Sequence, residues 1–594
     1  LVVVQATQLH RARTDDRQTA ASTQIESVHL DADEPRKLIA VIADPHPADM
    51  AGDLGNQAID GSRVRNGSPL APGHARLLAA IERVFPVRFE RFDAENLEQI
   101  DGAVILGAAP PKPTVASVRR LVLPYGRTHT TGTEQSDSGE QPVKLSDSAL
   151  LRRPLRGQAI GESATPAESP LTPPGATPFA RVAGRPVWWR LDDDSAPLEV
   201  STFELSELHD GETLREHLQA GRFMGLLPLV HFVEQVLGKH GWTPPPLRAA
   251  FVVDDPNIHW TSYGFLDYHE LIRHATHHGY HMSFATVPLD GWLVNRRAAS
   301  LLAANTNVLS LILHGNDHVA RELGRLDSDS EAQAAIAQGL RRIAAFERRS
   351  GLTVERIIAP PHGACSEAAL RATFRLGAEA ACISRPYPWR DGQPAATPIA
   401  GWSPADLVAG GLPVLPRYPL GAPREDLALR ALLGQPLILY GHHGDFAQGL
   451  DVLEQAAGDV NALGDVQWGS LGWIARGNYS TRRLGERLLV RMHARRIELD
   501  LPHGVSSVRV LIDEPHGGAC GHRLAHPSGN LDVSFAGGVG VSEALAVRGP
   551  GSLALTLAAD APLDPAHFGS RMSGPWPLMR RTLVETRDRL QALL

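Results

Sequence analysis

Short apolar runs, each closed by a polar or turn-forming cluster and separated by stretches of helical periodicity, repeat along the middle of this chain. Between Leu247 and Arg482 the pattern predicts strands over Arg248–Val253, His281–Val287, Val308–Leu313, Val354–Ala359, Ala380–Ile383 and Leu437–Tyr440. Helices are predicted between them over Tyr268–His277, Arg296–Ala303, Glu331–Arg349, Glu367–Leu376 and Glu425–Leu433. Strand and helix in alternation imply a (β/α) barrel over 247–482, whole or with fewer than eight strands. Catalytic groups of barrels come from the C-terminal ends of several strands, and the conspicuous polar clusters fall there: Asp254-Asp255, His314 to His318, Pro360 to Gly363, and His442 to Asp445.

The flanks read differently. Lys37–Asp44, Val87–Phe92 and Gly102–Leu106 are strand-like around a helix over Ala75–Phe85, which predicts a small α/β domain of Rossmann or flavodoxin type over 35–125, behind a loose tail over 1–34. Residues 126–183 are rich in Thr, Ser, Gly, Pro and Glu and read as a flexible linker or excursion. A connecting segment, 184–246, carries Trp188-Trp189, which reads either as a sugar-stacking platform or as core, and a helical run over Phe223–Val233. After 482 the period drops to two between Gly/Pro turns, predicting a β-sandwich over 483–594 closed by a helix over Leu578–Leu594. The whole is expected to be an α/β multidomain protein.

Composition narrows the function classes. At 594 residues the chain exceeds one core, and 43% hydrophobic with 21% charged residues is an ordinary globular balance. A net charge of −8 gives no reason to expect nucleic acid or an anionic membrane as partner. Cys365, Cys382 and Cys520 form no CxxC pair, so neither a thiolate metal site nor a disulfide framework is indicated. With no apolar run of spanning length and no signal-type leader visible, the expectation is a cytoplasmic, reducing setting and no membrane partner, although the chain does not begin with Met and a removed leader stays open.

Two carboxylates at one strand's end repel unless a cation or a base role holds them. His314 and His318, four apart after another strand, can face one ion, so Asp255, His314 and His318 make a candidate site of two histidines and one carboxylate with open positions. Asn257 and His259 lie close enough in sequence to touch substrate, as does His362; Asp317 is a candidate extra ligand. His274, His277, His278 and His281 form a second cluster, on a helix and its exit.

These residues resemble the polysaccharide deacetylase family, the NodB-homology fold of metal-dependent carbohydrate esterases and amidases, over about 247–482. Val252-Val253-Asp254-Asp255-Pro256 is similar to the family's Thr-Phe-Asp-Asp-Gly, and His314-Gly315-Asn316-Asp317-His318 to its His-Ser/Thr-x-x-His. Ala359-Pro360-Pro361-His362-Gly363 overlays Arg-x-Pro-x-Gly, and the end of Leu437 to His442 overlays Leu-x-His. The resemblance implies a distorted, seven-stranded barrel with Asp254 as base, Asp255, His314 and His318 as ligands of a divalent ion, and His442 or His443 as acid. Zinc is the first choice of ion, with cobalt, manganese and nickel as alternatives. Ala359 stands where the family has arginine, so Arg385 or Arg390 is expected to steady the base; Tyr440 or Gly441 replaces the pocket leucine; Gly315 replaces the hydroxyl residue. Pro361, His362 and Asp445 are expected beside the substrate. The implied activity is removal of acetyl or other acyl groups from a carbohydrate. Two alternatives stay open: a non-catalytic carbohydrate-binding or scaffold protein on the same fold, and a metal-dependent amidohydrolase of a non-sugar amide.

Overall fold

The computed structural model describes residues 35–43, 70–91, 100–107, 117–124, 140–167, 172–192, 196–319, 321–384, 397–515, 523–559, 561–569 and 574–593. The tail expected over 1–34 lies outside them. The protein is a mixed α/β assembly of several units, and among the described residues no helix is long and apolar enough to cross a membrane.

The central unit is built on one curled sheet. Its strands, in chain order, are β1 (Leu247–Asp254), β2 (Met282–Thr286), β3 (Leu309–Leu313), β4 (Val354–Ile358), β5 (Ala380–Ile383), β6 (Leu412–Pro416) and β7 (Leu437–Gly441). From β1 the neighbours run β2, β3, β4, β5, β6 on one side and β7 on the other, all parallel. Leu412–Pro416 pairs with β5, and two residues later Tyr418-Pro419 pairs with β7, so one continuous segment bridges the two edges of the sheet with Arg417 at the seam.

Side chains alternate faces along a strand, and the packing follows that period. In β1, Ala249, Phe251 and Val253 pack outward with the covering helices, while Ala250 and Val252 pack inward with Ala285, Ile312, Ile357, Cys382, Leu415 and Ile438. The short helix Leu471–Arg476 adds Leu471, Ile474 and Ala475 to this inner cluster. Residues buried on both faces explain why the strands read as continuous apolar runs. The outer layer includes α1 (Tyr268–His278), α2 (Asp329–Ser350) and α3 (Asp451–Asn461). Asp267 caps α1, accepting from the Glu270 N–H, and Gly279 closes it in the left-handed conformation that glycine adopts without a Cβ penalty.

The flanks correct several expectations. The first unit is a nine-stranded sheet in the order 87–91, 37–43, 102–106, 119–123, 198–201, 185–191, 177–182, 141–145, 159–162. The first five strands are parallel and the rest antiparallel. Residues 141–182 therefore include packed strands rather than a flexible linker, and 185–201 continue the same sheet rather than merely connecting. Composition misled because strands with one face toward water carry many polar residues; Val143, Leu145, Ile160 and Phe179 supply the buried face. Trp188 and Trp189 are 0% and 2% exposed, so the tandem tryptophans are core, not a sugar platform. The helical run was expected over Phe223–Val233; the helix spans Leu227–Leu237, after Phe223 and Met224 donate their N–H groups to buried Glu162.

Strands from Tyr479 to Leu557 form a β-rich C-terminal unit in which Gly529–Ala536 is shared, pairing with Arg523–His526 at one end and Val539–Ser542 at the other. Its apolar face, including Leu488, Val490, Val510 and Ile512, belongs to the same core cluster as the central unit's outer helices. The chain then returns to the central unit as α4 (Trp576–Leu593).

Candidate active site

The inward parity of each strand carries past its end. Ala250 and Val252 lead to Asp254, Ile312 to His314, Leu415 to Arg417, and Ile438 through Tyr440 to His442, so their side chains converge on one cavity of about 370 Å³. Asp255, His318, Arg321, His362, Gly363 and Ser384 complete its lining.

Asp255 Oδ1 lies 3.1 Å from His318 Nε2 and 3.9 Å from His314 Nε2. One donor atom from each of the three residues falls within 4.8 Å of the others. The donor set suits a divalent ion of zinc type, and the imidazoles are prepared for it. His314 Nδ1 donates to the Ala359 carbonyl at 2.8 Å, which leaves the lone pair on Nε2 facing Asp255. Burial pushes the His318 imidazole down to about 3 against the pull of Asp255, so it stays neutral at ordinary pH. Burial would raise Asp255, but His318 and Arg581 beside it hold its carboxyl far below the usual carboxylate range.

The loop bearing both histidines is shaped by its neighbours. Glu322 accepts the N–H groups of Asn316 and Asp317, while Arg342 donates to Asn316 and Asp317 side chains. Asp317 is thereby engaged as an ion pair, not as an extra ligand. Gly315 has φ +64°, and a Cβ there would collide with Glu322 Oε1 and meet Pro361 Cγ at 2.6 Å, which accounts for glycine in place of a hydroxyl residue. Asp255, His318 and His362 have φ of +78°, +53° and +59°, a left-handed conformation that costs non-glycine residues energy and clusters at functional sites.

Asp254 is 2% exposed, and Arg417 grips it with two hydrogen bonds, Nη1 to Oδ1 at 2.8 Å and Nη2 to Oδ2 at 2.9 Å. Burial would raise this carboxyl; Arg417 foremost, and then His314, lower it. The Arg417 guanidinium in turn lies over the Tyr440 ring, 4.2 Å from its centroid. His442 Nε2 lies 4.0 Å from Asp254 Oδ2, and its side chain is 55% exposed. Asp445 accepts the His442 N–H at 2.7 Å, fixing the turn without lining the cavity.

Several expected residues are elsewhere. His443 has the opposite parity: its Nε2 lies 3.3 Å from Asp588 and its ring stacks on Phe265, so it does not share the cavity. Asn257 and His259 do not line it either. Asn257 Oδ1 accepts the His259 N–H, and the His259 ring is held between Glu585 and the Asp290 carbonyl. Pro361 packs under Gly315, while His362 does line the cavity. Arg385 and Arg390 lie outside the described residues.

Two arginines escaped the sequence reading. Arg417 follows a strand disguised by Pro413 and Pro416, since proline in an apolar run argues against a strand. A basic residue just past an apolar run was its one signal. Arg581 comes from α4 and reaches the metal-type ligand itself: Nη1 donates to Asp255 Oδ1 at 3.1 Å, and Nε and Nη2 engage buried Asp290. Arg580 donates to the His318 carbonyl, and Asp588 receives the Tyr263 hydroxyl. No local pattern could place that helix here.

No family model matches the sequence, and no curated protein matches it. Among solved structures, the chain is similar to a family 4 carbohydrate esterase from Streptomyces lividans in complex with acetate, at 12% identity over 38% of this chain and 94% of that one, TM-score 0.25. It is also similar to a CE4 esterase from Streptococcus mutans, at 15% identity over 38% of this chain and 85% of that one, TM-score 0.23. A CE4 family pseudoenzyme from Bacillus anthracis is similar at 11% identity over 39% of this chain and 66% of that one, TM-score 0.25.

Proposed function

We propose that the protein is a metal-dependent hydrolase that removes acyl groups, acetyl foremost, from a carbohydrate amide or ester. The observation that carries this reading is the placement, in one cavity, of a two-histidine, one-carboxylate donor set beside a second carboxylate that an arginine keeps ionised. The choice of a carbohydrate as the acyl carrier follows the resemblance of the motifs.

Asp255, His314 and His318 would hold the ion. Bound there, a divalent cation supplies a Lewis acid for the acyl carbonyl and lowers the pKa of water toward neutrality. Asp254, unprotonated under the grip of Arg417, accepts a proton as the water oxygen bonds to the acyl carbon. His442, facing both Asp254 and bulk water, gives its proton to the departing nitrogen or oxygen as the bond to the acyl carbon breaks. Acetate and a free amine or hydroxyl leave. Asp254 can stay unprotonated beside a proton donor because it sits buried against the Arg417 guanidinium, which lowers its pKa.

Metal content tests the reading first. The wild type is expected to carry zinc at this site, and a His314→Ala/His318→Ala protein to lose that equivalent by elemental analysis together with release of acetate from N-acetylhexosamine oligomers. Retention of deacetylation by the double variant would overturn the mechanism.

Arg581 acts as a positioning residue in this reading. Hydrogen-bonded partners of ligating carboxylates orient them, and their loss costs about 10- to 100-fold in metal affinity or activity. Arg581→Ala is expected to weaken zinc binding by about that factor, measured by competition with a chelator, with Arg581→Lys recovering part of it. Tighter binding in the alanine variant would show instead that the guanidinium competes with the ion, which favours the non-catalytic alternative.

A further inference from the structure

A second set of imidazoles stands apart from the cavity and has no part in the chemistry above. His274 and His278 lie one turn apart on α1, the spacing that puts two side chains on one helix face. Their rings are stacked with centroids 4.3 Å apart and planes at 30°. Glu454 comes from a different helix, α3, and places Oε2 3.9 Å from His278 Nε2. One donor atom from each of the three lies within 4.8 Å of the others.

We infer that His274, His278 and Glu454 form a second divalent-cation site, of zinc or nickel type, that ties α1 to α3. Two imidazoles and one carboxylate are a borderline-soft donor set suited to those ions and poorly suited to magnesium or calcium. The buried Tyr280 hydroxyl lies 2.9 Å from His274 Nδ1. With Nδ1–H donating to that hydroxyl, the Nε2 lone pair is free for the ion, the outer partner that ligating histidines ordinarily have. The Glu454 side chain is 58% exposed, so its carboxylate can close the remaining gap by rotation at little cost, leaving a further position for water. Stacked imidazoles gain nothing by sharing a face if both are charged, whereas a shared ion gives that arrangement a purpose.

The place of the site decides its role. α1 ends at His278 and β2 begins at Met282, so this cluster lies toward the N-terminal ends of the strands, whereas Asp254, His314 and His442 stand at the C-terminal ends. α1 follows β1 and α3 follows β7, and β1 and β7 are paired neighbours. A cation here clips the two helices that follow those strands. Its effect is on stability, through binding to the folded state alone, and not on turnover.

Zinc chloride titration of the full-length chain by calorimetry, beside a melting curve with and without zinc, tests this. The wild type is expected to bind two equivalents, with His274→Ala/His278→Ala losing one and His314→Ala/His318→Ala losing the other. Tyr280→Phe should weaken the second site by about tenfold, as loss of an outer partner does. The zinc-dependent rise in melting temperature should disappear in His274→Ala/His278→Ala while deacetylation persists. Unchanged stoichiometry and affinities in that variant would overturn the second site. A wild type that binds a single equivalent, lost in His274→Ala/His278→Ala and kept in His314→Ala/His318→Ala, would support the second site while removing the proposed catalytic one.

Discussion

Asp254→Asn is expected to lower the rate of acyl release by about 10²- to 10⁴-fold while zinc content stays near that of the wild type, because general-base catalysis contributes on that scale. The split between turnover and metal is what the geometry predicts. Asp255 Oδ1 is the carboxylate oxygen facing His318 and His314, whereas both Asp254 oxygens are taken by Arg417. An amide at 254 keeps the shape and removes the proton acceptor. Steady-state rates on N-acetylated oligomers with elemental analysis of the same samples check it; parallel loss of metal and rate would make Asp254 a ligand, and an unchanged rate would remove it from the chemistry.

Arg417→Gln carries the second large effect, on stability. Asp254 and Arg417 are each no more than 3% exposed at their side chains, and removing one partner of a buried pair leaves an uncompensated charge, at a cost of about 3–5 kcal/mol. The Tyr440 ring would also lose the cation stacked on it. Asp254→Asn leaves Arg417 exposed to the same penalty from the other side. The double variant Asp254→Asn/Arg417→Gln, which buries no unpaired charge, is expected to recover much of the loss, with a coupling that a double-mutant cycle in urea unfolding would read. It should remain inactive. Additive single effects would mean that the two residues do not depend on each other.

Much of the central unit was legible because its information is local. Apolar runs alternating with helical periods specify strands and helices wherever the strands are buried on both faces, as β1 to β5 and β7 are. The same period of two favours His442 over His443, since Ile438, Tyr440 and His442 share the inner face. That Asp254, Asp255, His314 and His318 share a cavity was readable because each polar cluster closes an apolar strand, so its place at the strand's end is a local property. The outer residues Asn257, His259 and Asp445 were placed near the substrate by closeness in sequence, and the structure gives them turns and hydrogen bonds instead. In the first unit, one wet face made the strands of 141–182 look like linker.

By itself the sequence determined the strands of the barrel-like unit, the end of the sheet where the polar clusters gather, and the donor set of the candidate metal site, all properties carried within a few neighbouring residues. Tertiary structure alone decided what surrounds that set. Arg417 reaches Asp254 because the segment 412–419 bridges the edges of the curled sheet, and Arg581 reaches Asp255 because α4 returns from beyond the C-terminal unit. Residues 163 and 326 positions apart meet there. No periodicity encodes such a meeting, because it is set by how whole elements pack, and a buried carboxylate holds whichever guanidinium that packing delivers.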